Sequence, residues 1–182
     1  TYKNMKKINS ILATLLICFV HCAFANSTAE QYLRDFTSGA FRPQTMAALY
    51  SMNDGTSYTM LSEDGTKIIK YDYLSGKAIE TIFDVATAKN CTLKKISDYE
   101  FDPQEKRILI LTDKTPIYRH SFSTTYYVYN ITRNELEPLS QHPGVQNLAQ
   151  FSPNGRMIAF ARGNNLFIKK LDFNTELQIT KD

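Results

Sequence analysis

The sequence is poor in the side chains that do chemistry. It has three histidines, three cysteines and no tryptophan in 182 residues. Cys18, Cys22 and His21 fall together in an apolar N-terminal stretch, which leaves Cys91, His120 and His142 for the rest of the chain. A single thiol cannot close an internal disulfide, even in an oxidising compartment. Cys91 therefore reads as a half-buried apolar residue. Two histidines without cysteine or carboxylate spacing make no zinc site. The nearest approach to G-x-S-x-G is "GTSYT" from Gly55, which lacks the second glycine and falls between two strands, so Ser57 reads as turn structure. No glycine-rich loop opens a helix, and nucleotide binding is unsupported. Acidic pairs such as Glu63-Asp64 lie in hairpin turns and read as solvated. No metal or cofactor is expected, and the segment by itself is no catalyst.

An excess of one charge is also missing. Lys and Arg number 21 against 18 Asp and Glu, and the formal +3 is supplied by Lys3, Lys6 and Lys7. The remainder is neutral, which points away from nucleic acid or an anionic membrane surface as a partner. Those lysines open a secretory pattern. Met5-Lys6-Lys7 is a short positive region, Ile8 to Phe24 is apolar, and Ala23-Phe24-Ala25 has the small-x-small form of a cleavage site. The apolar core is too short for a comfortable membrane span, with a true N-terminal anchor as the alternative reading. Residues 1–25 are thus expected to be a signal peptide with an upstream extension, cut after Ala25. A neutral, disulfide-free exported chain is expected in a bacterial periplasm.

What the rest of the chain does have is a repeat. "LSEDGTKIIKY" at Leu61, "FDPQEKRILIL" at Phe101 and "FSPNGRMIAFA" at Phe151 each place a tight polar turn before an alternating apolar strand. A second pattern follows each of them. "YDYLSGKAIETIF", "YYVYNITRNELEPLS" and "LFIKKLDFNTELQIT" read as strand, polar turn and strand. The spacing of about 40 to 50 residues is the length of one four-stranded propeller blade. Residues 46–182 therefore predict an all-β, partial β-propeller of about three antiparallel blades, with an open β-sandwich or trimmed barrel as the alternative. Ahead of it, 26–45 predicts a short helix and linker: Ser27 and Glu30 form a capping box, Leu33 and Phe36 share a face, and Gly39 ends the helix.

One stretch departs from ordinary strand composition. "TPIYRHSFSTTYYVYN", Thr115 to Asn130, sets Arg119 and His120 side by side before a Tyr-rich alternating run. An arginine at the mouth of a propeller strand can present five donors in a fixed fork to a carbonyl or carboxylate. The bland reading is an arginine that caps a strand end against a local acid.

This run, with "SEDGTKIIKYDYLSGKAIETIFDV" and "FSPNGRMIAFARGNNLFIKKL", resembles the N-terminal propeller of the dipeptidyl peptidase IV family, serine exopeptidases of the prolyl oligopeptidase group. The resemblance runs from about Phe36 to Asp182, and the Arg-His-Ser-aromatic run is its most specific part. It implies an eight-bladed propeller joined to an α/β-hydrolase domain that carries a Ser-Asp-His triad, in an enzyme that releases N-terminal X-Pro and X-Ala dipeptides. Neither that triad nor the family's glutamate pair for the substrate's amino terminus has a counterpart in this sequence. It further implies that Arg119 holds a peptide carbonyl, while His120 and Ser121 shape the loop. The partners implied are a peptide with a free N-terminus, the remaining propeller blades and the hydrolase domain, with a homodimer left open. The rival functional reading is a non-enzymatic, TolB-like periplasmic propeller that binds a protein or peptide.

Overall fold

The computed structural model describes residues 28–43, 48–119, 121–142 and 144–182. The segment expected to be a signal peptide, residues 1–25, and the expected capping residue Ser27 lie outside them. The chain divides into two units, 1–46 and 47–182. Within the first, helix α1 spans 28–38. It ends in a Schellman motif, in which the Ala40 N–H donates to the Asp35 carbonyl at 2.9 Å and the Gly39 N–H to Phe36 at 3.3 Å. Among the described residues no helix is long and apolar enough to cross a membrane.

The second unit is three four-stranded antiparallel sheets in chain order. The first blade is β1 (Leu49–Ser51), β2 (Ser57–Leu61), β3 (Lys67–Asp72) and β4 (Ala78–Asp84). The second is β5 (Asp98–Phe101), β6 (Arg107–Pro116), β7 (Phe122–Asn130) and β8 (Glu135–Pro138). The third is β9 (Asn147–Phe151), β10 (Met157–Arg162), β11 (Asn165–Lys170) and β12 (Thr175–Gln178). Each strand pairs with its sequence neighbour, so every connection within a blade is a hairpin.

The turns form where acceptor side chains replace backbone partners. Asp102 Oδ1 accepts the N–H groups of Lys106 at 2.7 Å and Arg107 at 3.0 Å, which closes the β5–β6 turn. Ser152 and Asn154 do the same between β9 and β10, where the Ser152 hydroxyl accepts Met157 N–H at 3.0 Å and Asn154 Oδ1 accepts Arg156 N–H at 3.1 Å.

Two details of the repeat differ from the sequence-based expectation. The turn after Leu61 joins β2 to β3, whereas the turns after Phe101 and Phe151 join the first strand of a blade to its second. The first-blade counterpart is the turn after Ser51, fifty residues before Phe101, where Asp54 accepts Thr56 and Ser57 N–H groups at 2.9 Å each. Both turns of blade one carry a D-G-T sequence, so local chemistry cannot distinguish them. The second difference is β6, which is not alternating: Ile108 to Thr112 are all buried.

The reason is packing on both faces. Ile108 and Ile110 join a cluster with Ile68 and Phe83 of blade one, in which the Phe83 and Tyr129 rings meet edge-on with centroids 4.9 Å apart. Leu109 and Leu111 join a second cluster with Phe151, Ile158, Phe160 and Phe167 of blade three. A strand covered on both sides reads as a continuous apolar run. The turn tips are stitched across the seams as well. Asn53 Nδ2 donates to the Pro103 carbonyl at 3.1 Å, and Arg107 Nη1 to the Gly155 carbonyl at 3.2 Å.

Candidate substrate-contact loop

The β6–β7 hairpin is longer than its counterparts. β6 has 10 residues and β7 has 9, against 5 and 6 for β2 and β3 and 6 each for β10 and β11. The excess lies at one end, where Thr115 pairs with Ser123 and Pro116 with Phe122 beyond a bulge between Thr112 and Thr115. Asp113, at φ 47°, takes the left-handed conformation that the extra residue imposes. The loop 117–121 then crosses the tip.

The hairpin is braced at its base and along its length. Thr124, in β7, exchanges backbone hydrogen bonds with Gln146 at 2.9 and 3.3 Å, and its hydroxyl donates to the Thr112 carbonyl. Gln146 Oε1 in turn accepts the Tyr126 N–H at 3.0 Å. Further out, Lys114 Nζ lies 4.1 Å from the centre of the Phe122 ring and 3.7 Å from Asp98 Oδ2. Asp98 also accepts the Tyr50 hydroxyl at 2.8 Å, which ties the second blade's first strand to the first blade's. Burial, and then the hydrogen bond to the Asp98 carboxylate, push the Tyr50 hydroxyl far above its ordinary pKa, so it remains a donor.

Arg119 sits at the crossing, three residues before β7 begins, rather than at the strand's first position. It is exposed, and its guanidinium has no ion-pair or hydrogen-bond partner among the described residues. With Lys114, Pro116, Tyr118, Ser121 and Phe122 it lines an open depression of about 510 Å³. The Ser121 carbonyl closes the loop by accepting the N–H groups of Ile117 at 2.8 Å and Tyr118 at 3.2 Å. His120 lies outside the described residues. The strand-cap reading of Arg119, with an acid as partner, thus finds no support here. Lys114 is the member of this surface that sequence reasoning passed over. Its signal is a second cation in "TDKTP", close before Arg119, but nothing local shows that a bulge brings the two to one depression. Ser57 is buried at the start of β2, and its hydroxyl donates to Asp54 Oδ2 at 2.6 Å, a turn contact. Cys91 is a free, half-buried thiol packed against the first inter-blade cluster.

Three consecutive four-stranded blades, packed face to face in chain order, define this part of the chain as part of a β-propeller. Residues 102–182 match the family described as "Dipeptidyl peptidase IV (DPP IV) N-terminal region". The crystal structure of Porphyromonas gingivalis dipeptidyl peptidase 4 superposes with a TM-score of 0.77 at 44% identity, over 82% of this chain and 21% of that one. A probable dipeptidyl peptidase 4 of Arthroderma benhamiae is 33% identical over 70% of this chain and 16% of its own length. The human prolyl endopeptidase FAP is 24% identical over 94% of this chain and 22% of its own. The chain belongs to the dipeptidyl peptidase IV family and corresponds to its N-terminal propeller region. It spans less than a quarter of the length of these relatives.

Proposed function

We propose that this chain is the substrate-gating propeller portion of an exported serine-type dipeptidyl peptidase that releases N-terminal X-Pro or X-Ala dipeptides. The observation that carries this reading is Arg119, an exposed guanidinium without a partner among the described residues, held on a lengthened, braced hairpin. Its role is to position: a charge-assisted hydrogen bond to a peptide carbonyl fixes the substrate relative to a nucleophile supplied by the hydrolase domain. His120 and Ser121 shape the loop that presents it. The names of the relatives, dipeptidyl peptidases in Porphyromonas gingivalis and Arthroderma benhamiae, support the reaction class.

Two experiments on the full-length parent test this reading. The enzyme is expected to cleave chromogenic X-Pro dipeptide substrates and to be silenced by an organophosphate serine reagent; a parent with no such activity overturns the reaction class. Loss of a hydrogen bond that involves a charged group costs about 1.5–3 kcal/mol, so Arg119→Ala should lower kcat/KM roughly 10- to 150-fold with folding intact. Unchanged kinetics in a folded variant would remove Arg119 from the site.

A further inference from the structure

Lys169 is the charged residue that the reading above does not use. It lies in β11 on the face turned toward blade two, and only 4% of it is exposed. Its aliphatic stem is enclosed, while the ammonium at its end keeps contact with solvent. Among the described residues Lys169 Nζ has neither an ion pair nor a hydrogen bond. Its side chain lines a cavity of about 210 Å³ in the seam between blades two and three.

The wall of that cavity has a second cation without a protein partner among the described residues. Arg133, in the β7–β8 turn, donates its backbone N–H to Asn130 Oδ1 at 3.0 Å, but its guanidinium has no partner among the described residues. Arg107, also on the wall, is already occupied by Gly155 and by Asp172 Oδ1 at 3.2 Å. The acids offer little in return. Asp172 is shared between Arg107 and Arg156, the latter at 2.7 Å, and Glu135 accepts the Asn90 amide at 3.0 Å. Glu137 is exposed and pairs with neither free cation.

We propose that this inter-blade cavity binds a small tetrahedral oxyanion, such as phosphate or the phosphate of a monoester. Lys169 holds it from the buried side and Arg133 from the rim. Lysine supplies three donors and arginine five, enough to surround such an anion. The volume also accommodates it together with water. Because Lys169 belongs to blade three and Arg133 to blade two, the bound anion links the two blades across their seam.

The test is isothermal titration of the full chain with inorganic phosphate, against chloride at matched ionic strength, with thermal unfolding read in parallel. Saturable binding and a saturable rise in Tm are expected from phosphate and not from chloride. Lys169→Met keeps the apolar stem and removes the charge, and should weaken phosphate binding at least about tenfold. Arg133→Gln, at an exposed position, should weaken it about threefold. Similar affinity for a small phosphate monoester would show that the cavity recognises a phosphate group whatever it is attached to, whereas no binding of the monoester would confine the site to the free ion. A non-saturable rise shared by wild type and Lys169→Met is the general salting effect of phosphate and overturns the proposal. If Lys169→Met does not fold, unchanged binding in Arg133→Gln overturns it as well.

Discussion

Gly65 sits where two blades touch. Its carbonyl accepts the Ile96 N–H at 2.8 Å, and a Cβ added at Gly65 would stand 2.8 Å from the Ile96 carbonyl oxygen. Gly55 has nearly the same backbone, φ 67° against 71°, but nothing within 4 Å of its would-be Cβ. An alanine at either position incurs the left-handed penalty of about 1–2 kcal/mol. Only at Gly65 does the new methyl also meet backbone that cannot swing away, for about 1–3 kcal/mol more. In urea unfolding, Gly65→Ala should therefore have a clearly lower midpoint than Gly55→Ala. Equal midpoints would mean that the blade junction yields at this point. A second residue-scale prediction concerns acid. Glu176 accepts from Arg162 at 2.8 Å with both side chains largely buried, and the guanidinium stacks 4.1 Å from the centre of the Phe167 ring. Burial alone would raise the Glu176 carboxyl, but the Ser140 hydroxyl, then the Arg162 hydrogen bond and charge, outweigh it and hold the carboxyl below its ordinary range. The stabilisation is complete above the ordinary glutamate pKa and is lost as pH falls through the lowered folded value. Glu176→Gln should cost about 1.5–3 kcal/mol near neutral pH, and the gap from wild type should narrow as pH falls below the ordinary glutamate range and through the lowered folded value. A gap independent of pH would assign the loss to packing instead of charge.

At the scale of the element, the β6–β7 hairpin combines a rigid base with a lightly held tip. The base is tied by Thr112, Thr124 and Gln146, all buried. Beyond its backbone hydrogen bonds, the tip is anchored by Lys114, through an ion pair whose side chains are 39% and 35% exposed and through the Phe122 ring. Partly exposed contacts of this kind contribute on the order of 0.5–1 kcal/mol. Lys114→Ala should accordingly speed amide hydrogen exchange in the 113–123 segment up to about fivefold while β6 residues 108–111 keep their protection. Faster exchange throughout β6 would show that the tip and base open as one unit. Such a tip suits the proposed role, in which the loop admits a peptide and then holds it.

At the scale of the whole molecule, β6 is the shared wall of two interfaces. Leu109 faces the cluster with blade three and Ile110 the cluster with blade one, and both are fully buried. Blades that contact only their neighbours transmit stability from one to the next. Leu109→Ala should cost about 2–5 kcal/mol and lower exchange protection in β10 and β11 more than in β2 and β3. The opposite asymmetry is expected for Ile110→Ala. Uniform loss in both variants would make the three blades one cooperative block.

The sequence by itself determined the blade. Turn residues at Asp102, Asn154 and Asp54 and the strand–turn–strand pattern after each are local matters, settled by φ preferences and side-chain acceptors within a few residues. It also carried the conspicuous Arg119-His120 pair. Tertiary structure decided the rest. Which of two D-G-T turns in blade one matches Phe101 depended on the pairing of strands, since both sequences favour the same hairpin. Whether β6 is half-buried or wholly buried depended on a blade lying on each side of it. One depression lined by both Lys114 and Arg119, and one cavity lined by both Lys169 and Arg133, bring together residues separated by a bulge or by a seam between blades. Local propensity acts over a few residues, whereas burial and charge pairing are set by neighbours distant in the chain.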